Sequence, residues 1–413
     1  MIKRIFLSTL VGVVAASTVA WSATASELSC VQPGTWHSPL DGRTLSTDSV
    51  LENLKTKDVV LLGESHNISD HHRWQMQIVA QLFATHPDMV LGFEAFPRRV
   101  QATLDKWVQG QLSESDFLKQ SDWNTVWKFD PKLYMALFDF ARINHIPMVA
   151  LNVDRSLIHK ISKNGWSNVP KQQRLGLNDP APARQGYLDM LGTVFDHHGK
   201  NNHKTSKNNP NLPNLKDPHF KRFVEVQQTW DIAMAGAIAS TLNKAHGKNQ
   251  KPQMVAIIGR GHLDYGYGVP HQLKALGIKK VSVLSPWDYG RPCKDLKDGA
   301  EIAVADAVFG LKSLKAPVAP TGPKLGIMIE NGKDHGVLVG GVLEKSIAER
   351  SSLQKNDIIT MAAGQAIHTT SELIAIVKAM APGTWLPLTV ERNTKTIEII
   401  AHFPAPNKAE KRP

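Results

Sequence analysis

Cysteine is scarce in this chain of 413 residues, since only Cys30 and Cys293 are present. Two cysteines allow at most one intramolecular disulfide bond, and these two lie near the ends of the first predicted domain. Disulfide bonds persist mainly in oxidising compartments. The sequence therefore predicts a bond between these two residues in an exported protein.

Long apolar runs are missing after the first 25 residues. No later segment holds the roughly 18 consecutive apolar residues that a helix needs to cross a bilayer. Residues 1–25 have the form of an export signal, with two basic residues, an apolar stretch and small residues up to the expected cleavage site near Ala25. A lipoprotein signal needs an aliphatic residue where Glu27 stands, so the sequence favours a soluble periplasmic protein over lipid anchoring at Cys30.

Acidic side chains are outnumbered, because 48 Lys and Arg residues face 37 Asp and Glu residues and give a formal net charge of +11. A basic chain can prefer nucleic acid, anionic lipid or an acidic ligand. Exported proteins rarely meet nucleic acid, and the basic residues are scattered along most of the chain. We therefore predict no nucleic-acid partner, while a small anionic ligand stays open.

Five short apolar segments rich in β-branched residues predict buried strands, and the stretches between them predict helices. Strands that are apolar on both faces and alternate with helices are typical of a parallel sheet covered on both sides. The sequence therefore predicts an α/β domain over residues 26–312, a parallel sheet flanked by helices with a helical insert. The predicted strands begin at Asp58, Met89, Ile146, Met254 and Lys280.

Residues 190–223 interrupt this pattern and are rich in Asn, Lys, His and Pro. Such a composition cannot bury a core, so a solvated loop between helices is the simpler interpretation. The alternative is a cover over the strand ends, in which His197, His198 or His203 reaches a metal.

Polar side chains follow the predicted strands, and ligands of parallel sheets bind beyond the carboxyl ends of the strands. The first strand leads into Glu64 and His66, the second ends at Glu94, and the fourth leads into Arg260 and His262. Both histidines close a Gly-x-x-His sequence. Two neutral imidazoles and a carboxylate suit a catalytic divalent ion, and a neighbouring carboxylate could take a proton from bound water.

A second, smaller unit follows a proline-rich linker. Residues 313–323 are rich in proline and lack periodicity, which is typical of a semi-rigid linker. Residues 324–405 then alternate short strands with one amphipathic helix, for which Thr370 or Ser371 is the expected cap, and predict a compact α+β module. Residues 406–413 are interpreted as a basic tail.

Four segments of the first domain together carry a family resemblance. In order, "LLGESHNISDHHRWQ", "VLGFEAF", "QQTWDIAMA" and "GRGHLDYGYGVP" resemble the ChaN-like family of bacterial haem-binding uptake proteins. This family shares paired Gly-x-x-His motifs and a glutamate with Tiki-type metalloproteases, TraB proteins and erythromycin esterases. The resemblance implies an exported haem- or iron-binding accessory of iron uptake, with His66 and His262 at the site and Glu64 and Glu94 as their carboxylate partners.

The superfamily implies two versions of this site. In the haem version, Tyr265 or Tyr267 supplies an oxygen donor to iron, the two histidines line the same face, and Arg260 meets an anionic group. In the hydrolase version, the histidines hold a divalent metal ion, and Glu64 or Glu94 completes its ligands or acts as the base.

The second module resembles a bacterial PDZ domain. "LGIMI" from Leu325 is similar to the carboxylate-binding loop and its strand, and "LEKSIAERSSLQKNDIITMAAGQAI" is similar to the segment that follows. The resemblance implies that Leu325, Gly326 and Ile327 bind the C-terminal peptide of another exported or membrane protein. Ser352 and Asn356 replace the usual glycines, and asparagine tolerates the left-handed backbone expected there.

Overall fold

The computed structural model describes residues 30–198, 217–247, 252–312, 323–332 and 335–405. The predicted export signal, most of the predicted linker and the predicted tail lie outside these residues. So do His203 and the side chains of His197 and His198. In the ranges described, no helix is both long and apolar enough to span a membrane.

The N-terminal domain contains ten strands in its described residues. These are β1 (Trp36–His37), β2 (Thr44–Leu45), β3 (Val59–Glu64), β4 (Val90–Pro97), β5 (Met148–Asn152), β6 (Met254–Gly259), β7 (Val281–Asp288), β8 (Lys297–Asp298), β9 (Ile302–Ala303) and β10 (Ala307–Leu311). The helices of the same ranges are α1 (Thr47–Leu54), α2 (Ser69–Phe83), α3 (Gln101–Val108), α4 (Glu114–Gln120), α5 (Trp123–Val126), α6 (Met135–Ile143), α7 (Arg155–Asn164), α8 (Gln185–His198), α9 (Pro218–His246) and α10 (Val269–Ala275).

Eight of these strands form one sheet in the order β2-β1-β10-β7-β3-β6-β4-β5. The six strands from β10 to β5 run parallel, whereas β1 pairs antiparallel with β10 and β2. The five predicted strands are the continuous block from β7 to β5, so the predicted α/β class is confirmed. The apolar-run criterion missed β10, which has only five residues and alternates between buried and half-buried positions at its end.

Helices cover both faces of the sheet, as the side chains of β3 show. Val60 and Leu62 pack into one core with residues of α2, α3 and α6. Val59 and Leu61 point the other way and pack with residues of α9 and α10. Successive side chains of a strand point to opposite faces, so a strand buried on both sides must be apolar throughout.

The carboxyl ends of the central strands meet because β3 and β6 pair in register over their whole length. Val59 lies opposite Met254 at one end, and Glu64 lies opposite Gly259 at the other. Beyond Gly259 the chain enters a 3₁₀ turn over Arg260–His262. The two Gly-x-x-His sequences therefore leave neighbouring strands at the same edge.

Helix α9 is the longest of the described helices and crosses the same face as α10. It starts with Pro218 at its first position, and the Asp217 side chain accepts a hydrogen bond from the backbone N–H of His219. Proline at the first position and aspartate at the cap are both favoured at helix starts. The segment from Asp231 to Ala239 is buried apart from Gly236, which is half-buried.

A disulfide bond joins Cys30 to Cys293, with the two Cα atoms 5.7 Å apart. It ties the start of the described chain to the 3₁₀ turn after β7. The pairing is the one expected from the sequence, and it leaves no free cysteine in the chain.

The C-terminal module is an antiparallel sheet with one long and one short helix. Its strands are in the order β11-β12-β13-β15-β16, with β14 paired to β13, as the PDZ-like α+β class predicts. Its elements are β11 (Ile327–Asn331), β12 (Val337–Val342), α11 (Ile347–Arg350), β13 (Ile358–Ala362), β14 (Gln365–Ala366), α12 (Thr370–Ala379), β15 (Trp385–Arg392) and β16 (Lys395–His402).

Two local expectations for this module can be compared with its backbone. Ser352 and Asn356 have φ angles of 62° and 74°, so both adopt the left-handed conformation that glycine usually supplies. The cap of α12 is Thr369 rather than Thr370 or Ser371, because the Thr369 side chain and Glu372 form a reciprocal capping box. The cap expectation was therefore wrong by one or two residues.

Candidate functional site

His66 is held at the end of β3 by a buried carboxylate. Its Nδ1 lies 2.7 Å from Glu64 Oε1, and the Tyr134 hydroxyl donates to the same oxygen at 2.6 Å. A carboxylate can only accept, so Nδ1 of His66 carries the proton in this hydrogen bond. Because Nδ1 is protonated, a neutral His66 presents an unprotonated Nε2.

His72, on α2, supports the same pair from behind. Its Nε2 donates to the backbone carbonyl of His66 at 3.1 Å, and its Nδ1 lies 3.1 Å from Glu64 Oε2. The second contact has the distance of an ion pair, but its alignment is too poor for a hydrogen bond. His72 is buried and therefore positions the loop that carries His66.

His262 is held by a second unit of the same design. Its Nδ1 lies 2.7 Å from Asp231 Oδ1, and the Tyr187 hydroxyl donates to Asp231 Oδ2 at 2.7 Å. Asp231 is fully buried on α9. Each histidine is thus supported in the same way, by a tyrosine hydroxyl that donates to a carboxylate and by that carboxylate, which accepts from Nδ1 of the imidazole. Proteins often orient histidines that bind metals through the other nitrogen with a carboxylate in this position.

Glu94 lies inside β4, directly after the residues of that strand that pair with β6. Its Oε2 accepts from the backbone N–H of Gly259 at 2.6 Å, and its Oε1 lies 3.7 Å from His262 Nε2. A Cβ atom added to Gly259 would lie 3.0 Å from His66 Nε2 and 3.3 Å from Glu94 Oε2. Nε2 of His262 therefore lies beside the Glu94 carboxylate, and the absence of a side chain at Gly259 keeps open the space between Glu94 and Nε2 of His66.

Half-buried aromatic rings border the histidines. The rings of Trp127 and Phe129 have their centroids 4.6 and 5.2 Å from that of His66. The Trp230 ring lies edge-on to His262 at 6.1 Å. A site with two imidazoles, one carboxylate and three partly exposed aromatic rings offers both nitrogen donors and apolar contact surface.

Electrostatics favour the ionised form of Glu64 and the protonated forms of both histidines. Burial alone would raise the pKa of Glu64, but the hydrogen bond from His66, the close contact of His72 and the positive charge of both lower it to about 2. Burial likewise opposes protonation of His262, yet the charge and hydrogen bond of Asp231, with the charge of Glu94, raise its pKa to about 9. The pKa of His66 is also raised, against the effects of burial and of the His262 charge, by its hydrogen bond to Glu64 and by the charge of Glu94.

The two tyrosines after His262 have other partners. The Tyr265 hydroxyl donates to the backbone carbonyl of Asp295 at 2.8 Å, and the Tyr267 hydroxyl is hydrogen-bonded to the Asp298 carboxylate. Burial and the charge of Asp264 raise the pKa of Tyr265 to about 12, and burial and Asp298 raise that of Tyr267. Both shifts oppose a phenolate, so this geometry gives less support to a tyrosine ligand than to the histidines.

Arg260 is half-buried, and its charged neighbours differ from those of the histidines. Burial and the charge of Arg291 lower its pKa, while Asp264 and Asp288 act in the opposite direction. The structure therefore brings Glu64, His66, Glu94 and His262 together and places Arg260 beside a separate charged group.

The residues of the site that were not among the sequence candidates include Tyr134, Tyr187 and Asp231. Asp231 follows Trp230 inside the quoted motif "QQTWDIAMA", so an aspartate within an otherwise apolar helix face was the signal available. The tyrosines carry no such local signal. In the described ranges, no three His, Cys, Asp or Glu side chains are already arranged as a metal site, and Glu64 is engaged in orienting His66.

The predicted peptide-binding loop of the C-terminal module precedes an edge strand. Leu325 is buried, and Gly326 has a φ of 80°. A Cβ atom at Gly326 would lie 2.3 Å from Cβ of Ser346, so the tight turn requires glycine. Ile327 begins β11, which pairs on one side with β12 and is the first strand of its sheet.

Comparison with known proteins assigns both parts of the chain. A family model described as "Haem-binding uptake, Tiki superfamily, ChaN" matches residues 50–273, and a PDZ domain model matches residues 323–401. Among solved structures, one of cofacial haem binding to ChaN of Campylobacter jejuni is 18% identical, with a TM-score of 0.48, and the match covers 67% of this chain and 98% of that one.

The PDZ region also has similar solved structures. A serine endoprotease from Yersinia pestis is 22% identical, with a TM-score of 0.18, over 19% of this chain and 28% of that one. The HtrA3 PDZ domain bound to a phage-derived ligand is 24% identical, with a TM-score of 0.18, over 19% of this chain and 82% of that one. No curated protein matched the chain. Since the first family model spans more than half of the chain, the protein belongs to the ChaN family of haem-binding uptake proteins, within the Tiki superfamily, and it carries a C-terminal PDZ domain.

Proposed function

We propose that this protein is an exported haem- or iron-binding accessory of iron uptake, and that His66 and His262 are the residues that hold the iron. The observation that carries the proposal is the matched support of the two imidazoles. Each has its Nδ1 fixed by a buried carboxylate that accepts from a tyrosine, so Nε2 is the nitrogen that binds iron once its proton is released. Imidazole nitrogen is an established donor to haem iron.

The residues present are chemically compatible with haem. Trp127, Phe129 and Trp230 offer partly exposed aromatic surface for a porphyrin, and the His66 side chain is 28% exposed. When bound, the haem supplies the iron and the apolar ring, while the chain supplies donors and walls. The secondary candidates for haem contacts are Tyr265, Tyr267 and Arg260. They rank below the histidines because each side chain would have to leave or share its present partners to reach the haem.

Titration with haemin, followed by absorption spectroscopy, tests this proposal. We expect the parent to bind and the His66→Ala and His262→Ala variants each to lose binding, with the double variant no worse than either single one. His66→Ala should change stability by no more than about 2 kcal/mol, whereas His262→Ala also leaves the buried Asp231 without its cationic partner and should cost about 3 kcal/mol at neutral pH. His86→Ala, at a half-buried histidine that contacts the Thr85 hydroxyl, is the matched control. Parent-like binding by both single variants would refute the proposal.

A second candidate function is metal-dependent hydrolysis at the same site. The observation in its favour is Glu94, whose Oε1 lies beside Nε2 of His262 and could complete a metal site or accept a proton from bound water. Metal analysis of the purified protein, with hydrolysis assays of the parent and Glu94→Gln, distinguishes the two. Metal-dependent turnover that Glu94→Gln abolishes would favour the hydrolase, whereas haem binding without turnover would favour uptake.

The PDZ domain is proposed to dock the C-terminal peptide of another exported or membrane protein. β11 is the first strand of its sheet, so an extended peptide can add to it as a further strand, with its carboxylate at Gly326. A library of C-terminal peptides, screened against the full chain, tests this. If no peptide binds while the domain stays folded, the module is a spacer.

A further inference from the structure

Arg98 is a half-buried cation that lacks a carboxylate partner in the described residues. It follows β4, and its Nη2 donates to the backbone carbonyl of Ala233 on α9 at 2.6 Å. Its Nε is buried without a hydrogen-bond partner in the same ranges. The neighbouring Arg99 differs sharply, because it binds the carboxylates of both Asp122 and Asp154.

Even partial burial of a guanidinium is costly when no opposite charge replaces the water that it gives up. Burial alone lowers the pKa of Arg98, with no carboxylate acting against it. Ionisable groups with perturbed pKa values cluster at functional sites. A bound anion would supply the opposite charge that Arg98 lacks in the described residues.

Arg98 lines an open cleft of about 530 Å³ beside α9. The Arg98 guanidinium lies over Gly236, where an added Cβ would be 3.5 Å from Nη2, so the missing side chain leaves the cation accessible from the cleft. Leu177, Ile232 and Leu276 form apolar walls. The residues lining the cleft do not include either site histidine.

We propose that this cleft binds a small organic carboxylate, with its charged group on Arg98 and its aliphatic part on Leu177, Ile232 and Leu276. A planar guanidinium matches a carboxylate through paired hydrogen bonds, which favours a carboxylate over a spherical anion. The apolar walls favour an aliphatic body over a bare inorganic ion. This site is independent of the function proposed for His66 and His262.

Ligand-observed NMR with butyrate and the full chain, at constant ionic strength, tests the proposal. We expect butyrate to bind, butanol to bind far more weakly because it lacks the charge, and inorganic phosphate not to compete. Arg98→Gln should weaken butyrate binding by about tenfold or more, because a charge-assisted hydrogen bond is lost. Equal binding of butyrate by the parent and by this variant overturns the proposal, as does displacement of butyrate by phosphate at equal concentration.

Gly236→Leu provides a second variant that leaves Arg98 in place. Leucine suits a helix better than glycine and would occupy the cleft next to the guanidinium, so butyrate binding should be lost without loss of folding. Binding that survives Gly236→Leu overturns the assignment even if Arg98→Gln does not fold. Haemin titration of both variants should match the parent, which keeps failure of this site distinct from failure of the histidine site.

Discussion

Replacing Asp231 with asparagine removes the charge that most strongly favours protonated His262. In the parent, burial alone would lower the pKa of His262, but the charge and hydrogen bond of Asp231 and the charge of Glu94 raise it to about 9. Asparagine keeps the size of the side chain without its charge. We therefore expect the pKa of His262 to fall from about 9 to its ordinary value of 6.5 or below, because only the charge of Glu94 then opposes the larger effect of burial.

The change in the pKa of His262 determines how the unfolding free energy depends on pH. A rise from 6.5 to about 9 corresponds to roughly 3 kcal/mol of stabilisation. Because the folded pKa is above the unfolded one, His262 contributes this stability fully below about pH 6.5, and the contribution is lost as the pH rises through about 9. The difference in unfolding free energy between the parent and Asp231→Asn should therefore shrink by up to about 3 kcal/mol across this window.

Histidine-selective ¹⁵N labelling and a pH titration followed by NMR would measure the pKa of His262 in the full chain. Tyr187→Phe is the matched control, because it removes the hydroxyl that donates to Asp231 but leaves the carboxylate charge in place. Its His262 pKa should stay well above that of Asp231→Asn. The reasoning fails if His262 still titrates near 9 without the Asp231 charge, or if the tyrosine substitution lowers the pKa as much.

The remaining predictions concern the disulfide, a supporting tyrosine and the peptide loop. Alkylation of the unfolded, unreduced protein should label no thiol, since Cys30 and Cys293 are joined, and reduction should remove up to about 5 kcal/mol of stability; two labelled thiols would contradict the pairing. Tyr134→Phe should cost about 1–3 kcal/mol in denaturant unfolding, because a buried carboxylate loses a donor, and an unchanged midpoint would argue against that bond. Gly326→Val should abolish peptide binding, since its positive φ and crowded turn exclude a side chain, and parent-like affinity in a binding assay would move the peptide site elsewhere.

The α/β fold was predictable because its central strands are buried on both faces. A strand such as β6, whose six residues from Met254 to Gly259 are all buried, has to be apolar throughout, and that pattern is visible without a structure. The edge of the sheet carries no comparable signal. β1 and β2 have two residues each, and no periodicity can be read from so short a segment.

The grouping of His66, His262, Glu64 and Glu94 was predictable for a related reason. Parallel strands that start together in a sheet also end together, so residues that follow them meet at one edge. The register of β3 with β6 places Glu64 opposite Gly259, so the residues after both strands start from the same level of the sheet. Which of these side chains face one another could not be read from the sequence, because it depends on the turn after each strand.

Distance along the sequence did not predict which side chains contact His262. Tyr265 and Tyr267 are near His262 in sequence, but Tyr265 has a φ of 59°, and the chain turns there so that both hydroxyls meet the segment after β7. Asp231 is distant in sequence, yet it supports His262 directly because α9 packs across the face where β6 ends.

The positions of the two imidazoles therefore depend on strand register and on helix packing. The sequence predicts the first of these but not the second. Strand register delivers His66 and His262 to one edge. Tyr134, which precedes α6, reaches Glu64 from one face of the sheet, α9 carries Asp231 on the other face, and α8, which packs on α9, carries Tyr187. Helix packing against a sheet is fixed by many weak contacts of the whole core, so no short motif encodes it. That both histidines end with the same tyrosine and carboxylate support, built from unrelated elements, points to a shared requirement for a fixed and unobstructed Nε2.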